Sequence, residues 1–149
     1  RLVLVGDGKE KDNLMNLAGQ LGISDRVDFR GFLAGQALRE CYKTAGAFVL
    51  PTMEDCFGLV LIEAMCAGLP IIVSQYSDGA AETVTEDVNG YIVDPYDTAQ
   101  FTQAIDRIFM DEQTRKRLGT AGYEATEKFR FENVAAGYLE AIEDALSGR

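Results

Sequence analysis

Apolar and polar positions follow two different rhythms along this chain. Short aliphatic runs at 2–5, 27–29, 47–50, 70–74 and 91–93 each stop at a glycine, a proline or a polar loop, the pattern of buried strands. Between them, apolar residues recur at helical spacing, as with Leu14, Leu17, Ala18 and Leu21 inside 9–21, and a second helix is predicted over 37–45. Beyond Asp94-Pro95 the pattern is helical throughout, with stretches at 98–110, 112–118, around 121–128 and 131–146. Strands alternating with helices predict right-handed crossovers and an α/β fold: a doubly wound parallel sheet of about five strands, covered on both faces and followed by a helical tail. The last helix carries Val134, Tyr138, Ile142 and Ala145 on one stripe. That stripe is expected to pack on its own sheet, with self-association as the alternative. No internal repeat, low-complexity tract or linker interrupts the chain, so 1–149 reads as a single domain.

In folds of this kind, ligands bind at the carboxyl ends of the strands. Four segments fall there: Gly6-Asp7-Gly8, 31–35, 52–58 and 75–82, the last carrying Glu82 in a short turn. The third leads into the most informative stretch, Glu-Asp-Cys-Phe-Gly-Leu-Val-Leu-Ile-Glu-Ala-Met-Cys-Ala-Gly at 54–68. Nearly every position from Phe57 to Ala67 is apolar, so this helix is expected to be buried all round. Glu63 sits in its middle, and a buried carboxylate is paired, protonated or facing a polar ligand. Asp55 lies eight positions earlier, beside the turn that opens the helix.

Two readings of this pair stand side by side. In one, Asp55 caps the helix and Glu63 belongs to an internal ion pair. In the other, Glu63 leans back toward the N-terminus, as helical side chains do. Between the two acids then lie the amides of Cys56, Phe57, Gly58, Leu59 and Val60, an anion site built of orphan donors and the positive end of the helix dipole. Gly58 allows close approach to the backbone. The set suits an extended molecule with hydroxyls at each end and phosphates between, the layout of a nucleoside diphosphate sugar.

Composition narrows the field further. With no histidine in 149 residues, Ser-His-Asp, Cys-His and His-ligated zinc chemistry are excluded within this chain. No Asp-x-Asp pair occurs, so metal-assisted phosphate binding is not expected and no metal site is predicted. A net charge of −10 opposes nucleic acid or an anionic membrane as partner. Cys41, Cys56 and Cys66 are odd in number and fit no zinc spacing, which favours reduced thiols in the cytoplasm, with Cys56 a small apolar space-filler rather than a nucleophile. No secretory signal or membrane-spanning run is evident.

Taken in order, Val-Gly-Asp-Gly (5–8), Val-x-Phe-x-Gly (27–31), Phe-Val-Leu-Pro-Thr (48–52), Phe-Gly-Leu-Val-Leu-Ile-Glu-Ala-Met (57–65), Gly-Leu-Pro-Ile-Ile-Val-Ser (68–74), Glu82 and Asn-Gly-Tyr-Ile-Val (89–93) resemble one family. It is the C-terminal domain of retaining GT-B glycosyltransferases of the "glycosyl transferases group 1" set, which includes glycogen-synthase- and sucrose-synthase-like enzymes. The resemblance implies a Rossmann-like half of a GT-B fold that binds a nucleotide-sugar donor without metal. It implies that Glu63 holds the ribose hydroxyls. The sugar's hydroxyls fall to Asp55, which stands where the family has Glu, or to the adjacent Glu54. Backbone at Cys56, Phe57, Gly58, Leu59 and Val60 is implied to meet the sugar and diphosphate, with Gly6, Gly8, Gly31, Phe32 and Leu33 completing the donor site, the last three along the base. Glu82 is implied to be a loop anchor, although Ala81 replaces the common proline.

The family's basic pair for the diphosphate belongs to a stretch preceding Arg1, and Arg1 is not placed to replace it. The chain also begins inside a strand and ends at Gly148-Arg149, which reads as excision from something longer. The expectation is therefore a donor-binding half, inactive as this fragment, whose partner is an acceptor-binding N-terminal domain. Alternatives are a non-catalytic binding or regulatory module and a GT-B sugar-nucleotide epimerase. A receiver-like fold fits poorly, since Leu50-Pro51-Thr52 stands where its acidic acceptor belongs, and a paired-carboxylate glycosidase needs its two acids to flank one bond.

Overall fold

A computed structural model of the chain describes residues 1–147, so Gly148 and Arg149 lie outside the described residues. The chain divides into two compact units, Arg1–Lys43 and Thr44–Arg149. In the first, β1 (Leu2–Val5) pairs in parallel with β2 (Val27–Gly31), with α1 (Lys11–Gln20) and a 3-10 turn (Ser24–Arg26) between them. Helix α2 (Gly35–Thr44) follows. Arg1 pairs with Asp28, which also accepts from Arg30 Nε at 2.6 Å.

The second unit holds a parallel sheet in the order β3 (Phe48–Leu50), β4 (Ile71–Ser74), β5 (Gly90–Val93). The central strand β4 is buried along its whole length, as the run Ile-Ile-Val-Ser predicts for a strand covered on both faces. Helices α3 (Leu59–Cys66), α5 (Thr98–Phe109) and α6 (Glu112–Ala125) cover it. Ile72, Tyr91, Val93, Ala104, Ile108 and Leu118 form the core. Asp97 and Asp111 cap α5 and α6 by accepting from Ala99 and Gln100, and from Thr114. A short helix, α4 (Ala80–Thr83), precedes β5. Asn89 locks that connection, accepting from Thr85 N at 2.7 Å and donating to Thr83 O at 2.9 Å while buried.

The α/β class, the parallel pairing and all five strands match the sequence expectation, but four details differ. The strands lie in two sheets rather than one. The smaller sheet is not covered on both faces: Leu2, Val3 and Val5 are exposed, because a two-stranded sheet offers too little surface to sandwich. The expected break between 112–118 and 121–128 is absent. Gly119 continues α6 as a contact residue, because a Cβ there would stand 2.1 Å from Gly68 O in the turn that ends α3.

Finally, α7 (Phe131–Ser147) does not bury its apolar stripe against the sheet; Val134, Tyr138 and Ile142 are exposed. Its main contact is the 3-10 turn Thr126–Phe129 that precedes it. Among the described residues, no helix is long and apolar enough to cross a membrane.

Two glycines on α6 offer an internal control. Gly119→Ala should cost about 1–3 kcal/mol because the neighbour it strikes is backbone. At Gly122 a Cβ meets only ordinary contacts at 3.6 to 3.7 Å, so alanine should be neutral or stabilise by up to about 1 kcal/mol through helix propensity. Urea midpoints of the two variants test that order.

Candidate functional site

The loop after β3 is a built turn. Asp55 turns its side chain onto its own loop, where Oδ1 accepts from Phe57 N at 3.4 Å and Gly58 N at 3.2 Å. Gly58 takes the left-handed conformation at φ 71° and is the N-cap of α3. Alanine there would combine that strained φ with a Cβ 2.9 Å from Asp55 Oδ2. Thr52 Oγ1 donates to Glu54 O at 2.7 Å, which holds the start of the loop.

The main chain of Asp55 also pairs with the next loop. Asp55 and Ser77 form an isolated parallel bridge, and Asp78 N donates to Asp55 O at 3.0 Å. Gly79 lies so close to Phe57 that a Cβ would stand 1.9 Å from Phe57 O. The carboxyl ends of β3 and β4 are thus stitched into one backbone surface. Ser77 Oγ is buried beside this seam without a hydrogen-bond partner among the described residues.

Helix α3 presents two unlike faces. Leu61, Ala64 and Met65 are buried, while Leu59, Val60, Glu63, Cys66 and Ala67 are exposed on the other side. The expectation of a helix buried all round is therefore corrected, since α3 packs through one face only. Glu63 stands on the open face, four residues from Leu59 and three from Val60, so these are neighbours on one surface. The leading amides of Leu59 and Val60 have no acceptor within the helix. The amides of Phe57 and Gly58, expected to be free, are already engaged by Asp55.

Cys56 is exposed, not the packed space-filler expected; none of the three cysteines is in a disulfide. Glu54 is exposed and Asp55 half-buried. In the first unit, Gly6 N donates to Gly31 O at 2.8 Å, joining the ends of β1 and β2. Gly8 donates to Asp7 Oδ1 at 2.9 Å, Phe32 is 80% exposed and Leu33 half-buried. Among the described residues, no group of histidine, cysteine or acidic side chains could hold a metal ion.

The glycosyl transferases group 1 family model matches residues 1–125. The chain belongs to that family. An uncharacterized glycosyltransferase of Methanocaldococcus jannaschii is 35% identical over 147 residues, covering 98% of this chain and 37% of its own. A D-inositol 3-phosphate glycosyltransferase of Frankia alni is 33% identical over 143 residues, covering 95% of this chain and 35% of its own. The structure of sucrose-phosphate synthase from Thermosynechococcus elongatus superposes with a TM-score of 0.83 at 29% identity, over 99% of this chain and 39% of that one.

Anabaena HepE, solved in complex with UDP, gives a TM-score of 0.83 at 25% identity over 95% of this chain and 40% of its own. The chain therefore spans well under half the length of these relatives. It also superposes on the C-terminal domain of a glycosyl transferase group 1 family protein from Francisella tularensis, with a TM-score of 0.74 at 25% identity over 84% of this chain and 66% of that one. Its match is thus to a C-terminal GT-B domain.

Asp55→Ala should lower stability by about 1 kcal/mol, because it frees two backbone donors at once. Asp55→Asn keeps an acceptor oxygen and should lose less than half as much. Thermal and urea unfolding of both variants decide it.

Proposed function

We propose that this chain is the nucleotide-sugar-binding half of a retaining glycosyltransferase that transfers a hexosyl group from a nucleoside diphosphate sugar to an acceptor. The observation that carries the reading is the exposed face of α3, where Glu63 shares one surface with Leu59 and Val60, whose amides lack an acceptor within the helix that the Asp55 turn opens. A diphosphate suits the helix start, where orphan donors and the dipole favour negative charge without a basic side chain. Glu63, leaning toward that end, accepts from the ribose hydroxyls. Glu54 or Asp55 accepts from the hydroxyls of the sugar. Asp55 carries a second duty in this scheme, because one of its oxygens also holds the turn. For the first unit the proposal is limited to backbone contacts at Gly6, Gly8 and Gly31, with Phe32 and Leu33 offered to a planar base.

Catalysis in the full-length enzyme would then rest on orienting donor against acceptor and stabilising the departing diphosphate. Glu63 and Asp55 position the donor and do not exchange protons with it. No metal is part of the scheme, so chelation should leave turnover unchanged. The acceptor-binding domain is the proposed partner, without which this half binds donor but does not turn over. The odd count of three cysteines, with no zinc-ligand spacing, favours a cytoplasmic setting.

Titrating the full-length protein with uridine, guanosine and adenosine diphosphates tests the reading. One of them should bind, and Glu63→Gln should weaken donor binding about 10- to 100-fold, the range for losing a hydrogen bond to a charged group. Folding should be largely unchanged, because Glu63 is exposed and glutamine keeps its size and an acceptor oxygen. Unchanged donor kinetics in that variant would remove Glu63 from the site, and silence towards all three nucleotides would favour a non-catalytic module.

A further inference from the structure

We infer that the 3-10 turn Thr126–Phe129, which lies outside every motif of the site, positions the donor-binding loops through Lys128 and Phe129. The inference rests on the donor-site reading above for its functional consequence, but its structural content stands by itself. Phe129 meets Phe57 edge-on, with ring centroids 6.2 Å apart and planes at 82°. Phe57 is the residue whose amide Asp55 captures and whose carbonyl presses on Gly79. The Phe129 ring therefore packs on the one residue whose amide is held by the Asp55 carboxylate and whose carbonyl lies against the next loop.

Lys128 acts on the second loop. Its ammonium donates to the main-chain carbonyl of Glu82, in the short helix α4 that follows β4. It also lies 4.9 Å from the centroid of the Phe129 ring, so the two residues hold each other as well as their targets. A single four-residue turn thereby grips the loop after β3 through an aromatic edge and, through a charged donor, the short helix α4 that continues from the loop after β4. Neither residue belongs to the core: Lys128 is exposed and Phe129 half-buried.

A role in general stability predicts losses spread over the unit. A positioning role predicts losses confined to the loop, because amides aimed at a charged ligand act over a few tenths of an ångström. Tilting the Phe57 peptide would turn the first amides of α3 away from the diphosphate without unfolding anything.

The experiment uses the full-length protein and the variants Phe129→Ala, Phe129→Tyr, Lys128→Met and Lys128→Arg. Hydrogen exchange over residues 55–60 is compared with exchange over β4 and the core of α5, and affinity for uridine, guanosine and adenosine diphosphates is measured alongside. Phe129→Ala and Lys128→Met should each speed exchange over 55–60 and weaken the nucleotide about three- to tenfold, the scale of one aromatic or cation–π contact. Core exchange and Tm should stay put, and the Tyr and Arg variants should restore both readouts.

Unchanged exchange over 55–60, or equal acceleration in the core, overturns the inference. If the wild-type protein binds no nucleotide, the donor-site reading falls, and the exchange data still decide whether the turn governs the loop.

Discussion

The site depends on one short turn, in which the carboxylate of Asp55 gathers the amides of Phe57 and Gly58 while its carbonyl accepts from Asp78. That double use of one residue fixes where α3 begins. It consumes two donors locally and leaves the next pair, on Leu59 and Val60, pointing out of the helix start. Gly58 makes the geometry attainable, since its left-handed backbone is strained for any residue with a side chain. Take away the turn and the amides lose their common direction, and Glu63 loses the end it leans toward.

A second constraint follows from charge. The sequence carries 24 acidic and 14 basic side chains, which makes attraction of a polyanion by overall potential unworkable. Within this chain, the groups suited to a diphosphate are backbone dipoles at a helix start, where the favourable field is local and the acidic surroundings are screened. The same surplus of acids suits the two ends of a donor, where ribose and sugar hydroxyls donate hydrogen bonds. An acidic domain that binds an anionic ligand is consistent once the work is divided between main chain and side chain.

Much of this was legible in the sequence, for physical reasons. The buried strands announced themselves as aliphatic runs closed by glycine or proline, and β4 kept four buried residues in a row because it is central. The spacing of Asp55 and Glu63 on either side of Gly58 outlined the candidate site on which the proposal is built. Burial was harder to read. An apolar helix signals only that it can be buried, and α3 turns Leu59, Val60 and Glu63 outward because its neighbours cover one face. Gly119 resembled a helix break, yet it is a close contact with Gly68 that no local pattern encodes. Lys128 and Phe129 carried no signal at all, because their partners Glu82 and Phe57 lie far away in sequence.

Backbone amide shift mapping of the full-length protein during titration with uridine, guanosine or adenosine diphosphate tests the central claim most directly. The account predicts the largest displacements at the amides of Leu59 and Val60, with Glu63 moving among their neighbours. Displacements elsewhere, for instance on the outer face of α6 around Lys116, with residues 54–63 unmoved, would contradict it.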